Sequence, residues 1–201
     1  IMPMQCALLS GNWFVSNAVG VTAAQATNWP YLRPYNAIDV AYNVFAWCGG
    51  DGIAGGVYSN LVYRNNTLYM CGGTGVTYWA GVMGPYGEAA LDNNLFYGNY
   101  AAWDVSVDLG PDVSPAWNAY FTNTIATGWE SQGESNVFAD PLLVTDVSDP
   151  WFLHPLDGSP IIGVSAAGGA TYLGALPPVP EPGTVLAVCA GMLYLVRRRA
   201  W

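Results

Sequence analysis

Apolar and polar residues alternate in short stretches along most of this chain, as at Ile38/Val40 and Leu61/Tyr63. Side chains two apart share one face of a strand, so such stretches predict strands with one buried face. They are rich in β-branched and aromatic residues, and Gly and Asn punctuate them, which is strand and turn chemistry. Nothing in the body reads as a long amphipathic helix. The stretches also repeat. Placing Asn43 on Asn66 superposes Ile38 on Leu61, Phe45 on Leu68, Cys48-Gly49-Gly50 on Cys71-Gly72-Gly73, Gly52 on Gly75 and Ile53 on Val76, at one offset of 23 residues (66 − 43). A third copy centres on Asn94, with Leu91 before it and Phe96-Tyr97 after it. Weaker copies centre on Asn12 with Phe14 and on Asn118 with Tyr120.

Repeats of this length mark a solenoid, either leucine-rich or a parallel β-helix. The copies lack the leucine-rich pattern and alternate as strands, so the expected fold class is all-β, a parallel β-helix solenoid. Each strand then pairs with its equivalent one coil away, and inward residues stack in apolar columns. Asn43, Asn66 and Asn94 are expected to stack as an amide ladder at a tight bend, with Asn itself taking the left-handed backbone conformation. Gly49, Gly50, Gly72 and Gly73 are expected at the next corner.

Composition narrows the function classes. Charged residues make up only 9% and the apolar fraction is 52%, which excludes a disordered main state. The net charge is −9, there is no Lys, and three of the five Arg stand together at the C-terminus. Such a surface repels nucleic acid, so no nucleic-acid partner is expected. It also disfavours acidic polysaccharides unless metal ions bridge the two. The four Cys form no CxxC pair and no His-Cys cluster, so no zinc site is expected. The chain begins without an initiator Met or a basic leader, and is read as the C-terminal part of a longer exported precursor.

From Pro177 the sequence changes character. Pro177, Pro178, Pro180 and Pro182 predict a stiff extended linker. An uncharged run from Gly183 to Val196 follows, then Arg197, Arg198 and Arg199. The run is shorter than the roughly twenty residues of a full span. Its place behind the prolines and the Arg stop nevertheless favour a membrane helix over a buried one. This tail, over about the last twenty-five residues, resembles the PEP-CTERM sorting signal. The resemblance rests on Val179-Pro180-Glu181-Pro182-Gly183-Thr184, the apolar run and the Arg cluster. It implies recognition of Pro180, Glu181 and Pro182 by an exosortase-type processing enzyme of a Gram-negative bacterium. It further implies an inner-membrane-anchored precursor, then a place at the cell surface or in an extracellular matrix, often with exopolysaccharide or biofilm.

The segment after Asn136 resembles the closing module of right-handed β-helix surface proteins. Asp140-Pro141-Leu142, Trp151-Phe152-Leu153, Gly158-Ser159-Pro160-Ile161-Ile162 and Leu173-Gly174-Ala175 carry the likeness, though the Asp that usually follows Gly-Ser-Pro is missing. This implies a pectate-lyase-like, right-handed parallel β-helix whose open end the module caps. The expected organisation is coils over 1–139, a capping module over 140–176, the proline linker over 177–182, a single transmembrane sorting helix over 183–196 and a basic cytoplasmic tail over 197–201.

The fold alone does not decide activity. Asp104 and Asp108 share a strand face and are the candidate catalytic carboxylates, or the ligands of a calcium ion, if the face is not simply solvated. Otherwise no cofactor is expected. Arg64 is read as an outward cation on a solvated face, or one paired with Asp92. His154 is read as structural. Trp79, Trp103 and Trp117 are candidate stacking surfaces for a neutral exopolysaccharide, or else core. Cys48 and Cys71, one coil apart, are a candidate disulfide, with stacked free thiols as the alternative. The expected function is a non-catalytic structural or adhesive surface protein. The alternatives are a polysaccharide lyase or glycoside hydrolase, and a carbohydrate-binding module.

Overall fold

The computed structural model describes residues 6–23, 36–55, 59–79, 89–106, 113–125, 135–164 and 171–180. Within them the chain is all-β. The first coil contributes β1 (Cys6–Ser10), β2 (Trp13–Val15) and β3 (Val21–Ala23). The second contributes β4 (Asn36–Ala41), β5 (Val44–Ala46) and β6 (Ile53–Gly55). The third contributes β7 (Ser59–Arg64), β8 (Thr67–Tyr69) and β9 (Thr74–Trp79). The fourth contributes β10 (Ala89–Asp92), β11 (Leu95–Tyr97) and β12 (Ala101–Ser106). The fifth adds β13 (Val113–Ala116) and β14 (Ala119–Phe121). Each strand pairs in parallel with the strand three places on, giving sheets β1-β4-β7-β10-β13, β2-β5-β8-β11-β14 and β3-β6-β9-β12. That is a solenoid compatible with a β-helix. The expected register holds: Asn43's coil lies on Asn66's, with Ile38 opposite Leu61, Phe45 opposite Leu68 and Ile53 opposite Val76.

Alternation along each strand makes three inward columns. Leu9, Val40, Tyr63 and Leu91 line the first sheet, Phe14, Phe45, Leu68, Phe96 and Tyr120 the second, and Val21, Ile53, Val76 and Trp103 the third. They close on one another as the interior core. The bends between the first two sheets carry the amide ladder. Nδ2 of Asn12, Asn43, Asn66 and Asn94 donates to Oδ1 of the next coil's Asn at 3.1, 3.2, 3.0 and 3.1 Å. The backbone N–H of each donates to the same oxygen at 3.0, 3.1, 3.0 and 2.9 Å. Asn118 extends the ladder to Asn136 through its backbone N–H. Nδ2 of Asn43, Asn66, Asn94 and Asn118 also reaches back to the carbonyls of Leu9, Val40, Tyr63 and Leu91. Each interior ladder residue therefore ties three successive coils together.

One expectation about this bend is corrected. The left-handed residue is the one before the ladder Asn: Gly11, Tyr42, Asn65, Asn93, Trp117 and Ser135, with φ between 52° and 72°. The ladder Asn is held by its own hydrogen bonds, and the reversal falls one residue earlier, where most side chains are exposed or only half-buried. A non-Gly residue there costs roughly 1–2 kcal/mol, which the satisfied ladder offsets.

The described residues of the C-terminal module pack along one flank of the coils, Ala119 and Trp117 of the last coil included. Val137 pairs with Ala119 and Phe138 stacks on Tyr120, which adds a short rung there. The chain then turns back along the outer face of the second sheet. Leu143, Leu153, Ile161, Leu173 and Ala175 form a second core with the outward residues Val44, Ala46, Tyr69, Leu95 and Ala119. The reason is that this sheet's outward positions are apolar, so they expose a flank that must be covered. Gly174, at φ +94°, passes so close that a Cβ there would lie 2.8 Å from Thr67 Oγ1.

Candidate functional site

The bends between the second and third sheets hold a second ordered column, in which chemistry-bearing side chains replace amides. Ser16, Trp47, Met70, Gly98 and Thr122 are left-handed, with φ between 50° and 65°. The residues that follow them are Asn17, Cys48, Cys71, Asn99 and Asn123. Asn99 donates to Asn123 Oδ1 from its backbone N–H at 3.0 Å and from Nδ2 at 3.2 Å, as in the first ladder. Nδ2 of Asn99 and of Asn123 reaches back to the carbonyls of Leu68 and Phe96. Cys71 joins the same column, since its backbone N–H donates to Asn99 Oδ1 at 2.9 Å. The thiols of Cys48 and Cys71 take the place of the back-reaching amide, pointing at the carbonyls of Phe14 and Phe45 at 3.9 and 3.8 Å.

Cys48 and Cys71 thus occupy equivalent places in neighbouring coils, as the repeat implied. Gly72 N–H donates to Cys48 O at 2.7 Å and carries the register through the corner. Both are buried free thiols, so the stacked-thiol alternative describes this structure and the disulfide is not formed in it. The two thiols shift each other in opposite directions. Interaction with the Cys71 thiol holds Cys48 down, to about 7, against the opposing effect of burial. The same interaction pushes Cys71 well up, helped by burial and by the negative charge of Asp51.

The carboxylates are more dispersed. Asp104 is exposed on β12, opposite Thr77 of the coil before, while Asp108 lies outside the described residues. Asp51 accepts the backbone N–H of Thr74 through Oδ1 at 2.8 Å and serves a corner. No group of three or more His, Cys, Asp or Glu suited to a metal ion occurs among the described residues. Arg64 lies opposite Asp92 in register but binds Asp39, two residues along the neighbouring strand, through Nε at 3.2 Å and Nη2 at 2.5 Å. His154 sits within the C-terminal module, with Nδ1 2.6 Å from the Pro177 carbonyl and its ring edge-on to Trp151.

Of the aromatic candidates, Trp103 takes the core alternative. Trp103 is only 2% exposed and ends the inward column of the third sheet, in phase with Ile53 and Val76, so it offers no stacking face. Trp117 is half-buried against the C-terminal module, and the side chain of Trp79 lies outside the described residues. Phe138, Tyr100 and Trp13 are the most exposed aromatics among the described residues, and Trp13, 49% accessible, stands at one end of a row in which Phe152 lies between Trp13 and Trp47. Its outward phase, one residue before the inward Phe14, was the signal available in the sequence.

Of the residues expected to form a sorting element, Pro180 is described and half-buried, close behind Val179, whose N–H donates to Pro155 O. Glu181, Pro182, the helix expected over 183–196, and Arg197, Arg198 and Arg199 lie outside the described residues. No helix among the described residues is long and apolar enough to cross a membrane. No family model matches the chain, and no curated protein or solved structure shows significant similarity to it.

Proposed function

We propose that this chain is an exported structural protein of the cell surface or extracellular matrix. In this reading a right-handed, pectate-lyase-like β-helix is delivered by a PEP-CTERM tail. The observation that carries the structural role is where the buried polar groups spend their hydrogen bonds. The ladder amides bind the next coil and the carbonyls of the coil before, and Arg64, the cation among the described residues, is held by Asp39. Interior polarity of this kind fixes coil register and adds rigidity. The tail reading rests on Pro180, Glu181 and Pro182 ahead of an apolar run and three Arg.

The test has two arms. Expressed in a bacterium with an exosortase, the chain is expected to lose its tail and reach the surface fraction, and Glu181→Ala is expected to leave it uncut in the membrane. On purified protein, a glycan array is paired with assays for reducing ends and unsaturated uronates. Neither binding nor product is the outcome for a scaffold, whereas product would make the chain an enzyme. Binding without product would favour a neutral-sugar module, for which the half-exposed Trp13 is the supporting feature. Trp13→Ala would then abolish the binding.

A further inference from the structure

Of the chemistry-bearing groups in the described residues, the thiol pair is the one the coil geometry brings together without a structural need for sulfur. Asn99 and Asn123 fill the same column with amides and complete every bond the column requires. Cys48 and Cys71 make only long thiol contacts in its place. Equivalent positions in paired parallel strands stand about 4.8 Å apart, inside the Cα window for a disulfide. The cover is thinner over Cys48. Each Cys is followed by an exposed glycine, and a Cβ on Gly49 would meet nothing nearer than the Asn17 carbonyl at 3.9 Å, whereas one on Gly72 would stand 2.6 Å from the Gly49 carbonyl oxygen. Cys71 Sγ lies inside the coil, 3.4 Å from where a Gly52 Cβ would stand.

We propose that Cys48 and Cys71 form a hydroperoxide-responsive modification site, in which Cys48 is oxidised and Cys71 resolves it as an inter-coil disulfide. Hydrogen peroxide, small and uncharged, is the oxidant suited to a buried pair beside the exposed Gly49. The Cys48 thiolate attacks one peroxide oxygen, forming S–O and breaking O–O, and hydroxide leaves with the bonding pair. Cys71 Sγ then attacks the sulfenyl sulfur, forming S–S and breaking S–O, and the leaving hydroxyl departs with the Cys71 proton as water. Two thiols and one peroxide give one disulfide and two waters, since the proton lost when Cys48 ionised neutralises the hydroxide. The order follows from access, since Gly49 beside Cys48 stands open while Gly72 beside Cys71 lies against the Gly49 carbonyl, and the lowered Cys48 thiol agrees with it. The product staples the second coil to the third, independently of whether the chain is exported.

The experiment treats the folded full chain with near-stoichiometric hydrogen peroxide and maps unreduced peptides by mass spectrometry. A 48–71 cross-link is expected, with Tm raised by roughly 5–10 °C on the usual scale for a loop of this size. Cys71→Ser is expected to leave a sulfenic acid at Cys48 that a cyclic 1,3-dione captures. Cys48→Asn, which restores the residue type of Asn99 to the column, is expected to fold and to leave Cys71 unoxidised. Should Cys71→Ser fail to fold, Cys71→Asn takes its place. The proposal is overturned if both thiols stay reduced at a dose that oxidises the unfolded chain. It is also overturned if Cys48 pairs instead with Cys6 or Cys189, or if Cys71 oxidises as fast in Cys48→Asn as in the native protein.

Discussion

Ala175 donates its backbone N–H to Thr67 Oγ1 at 2.9 Å, joining the C-terminal module to the third coil across 108 residues of sequence. Thr67 is almost wholly buried, on the outer face of the second sheet, and Gly174 passes directly over it. The module is thus a brace laid along the flank, and this bond is one of its fixed points.

Thr67→Val keeps the shape but removes the acceptor, leaving the Ala175 N–H buried without a partner. The expected loss is about 1–3 kcal/mol in urea unfolding, and Thr67→Ser, which keeps the oxygen, should lose less. An equal loss for both would show that the methyl group and not the hydrogen bond holds the flank.

The ladder predicts a gradient along the solenoid axis. Asn66→Ala removes the acceptor for both donors of Asn43 and strips a donor from Asn94 Oδ1 and from Val40 O. Several buried groups at roughly 1–3 kcal/mol each make this among the costliest single changes in the chain. Asn12→Ala loses only the bonds of a half-exposed amide to Ser10 O and Asn43 Oδ1 and is expected to cost about 1 kcal/mol. Comparable unfolding midpoints for the two variants would refute the idea that interior amides carry the coil register.

How much of this was legible in the chain can be argued residue by residue. The spacing of Asn43, Asn66 and Asn94 disclosed the coil, its strand register and the first ladder, because a repeated buried amide has to stack on its own kind. The second column was equally written, five residues further on at Asn99 and Asn123, but Cys at the two clearest copies hid it. Trp103 could have been placed inside by its phase with Ile53 and Val76, which decides between the stacking and core readings. The flank position of the C-terminal module was not readable. Leu143, Leu153, Ile161 and Leu173 announce a buried face, and nothing in their spacing says which surface they bury it against.

Glycine beside the inward aromatic column sets a further limit. A Cβ on Gly75 would stand 2.5 Å from the Ala102 carbonyl oxygen and 2.8 Å from Cδ1 of Phe96. Phe96 is stacked on Tyr120 and the Ala102 carbonyl is strand backbone, so neither can withdraw cheaply. Gly75→Ala is expected to destabilise by about 1–3 kcal/mol or more. Gly75→Ala combined with Phe96→Leu should recover part of that loss, and failure of the double variant to recover any would place the clash at the backbone alone.

Asp92 gives the pH dependence. Burial raises its carboxyl above the ordinary value, and the Ala116 backbone N–H draws it only partly back. Arg64, opposite it in register, is engaged by Asp39. A carboxyl whose folded pKa lies above its unfolded one binds its proton more tightly when folded. Its contribution is therefore fully present below the unfolded value near 4 and is lost as pH rises through the folded value, so that at neutral pH the ionised Asp92 is a cost. Asp92→Asn removes that cost while leaving the Asp92 carbonyl to accept from Asn65 N–H and Asn94 Nδ2. The variant is expected to melt higher than the native chain at pH 7, and the difference should shrink as pH is lowered toward 3. A difference that stays constant across that range would mean the gain comes from packing or hydrogen bonding and not from ionisation.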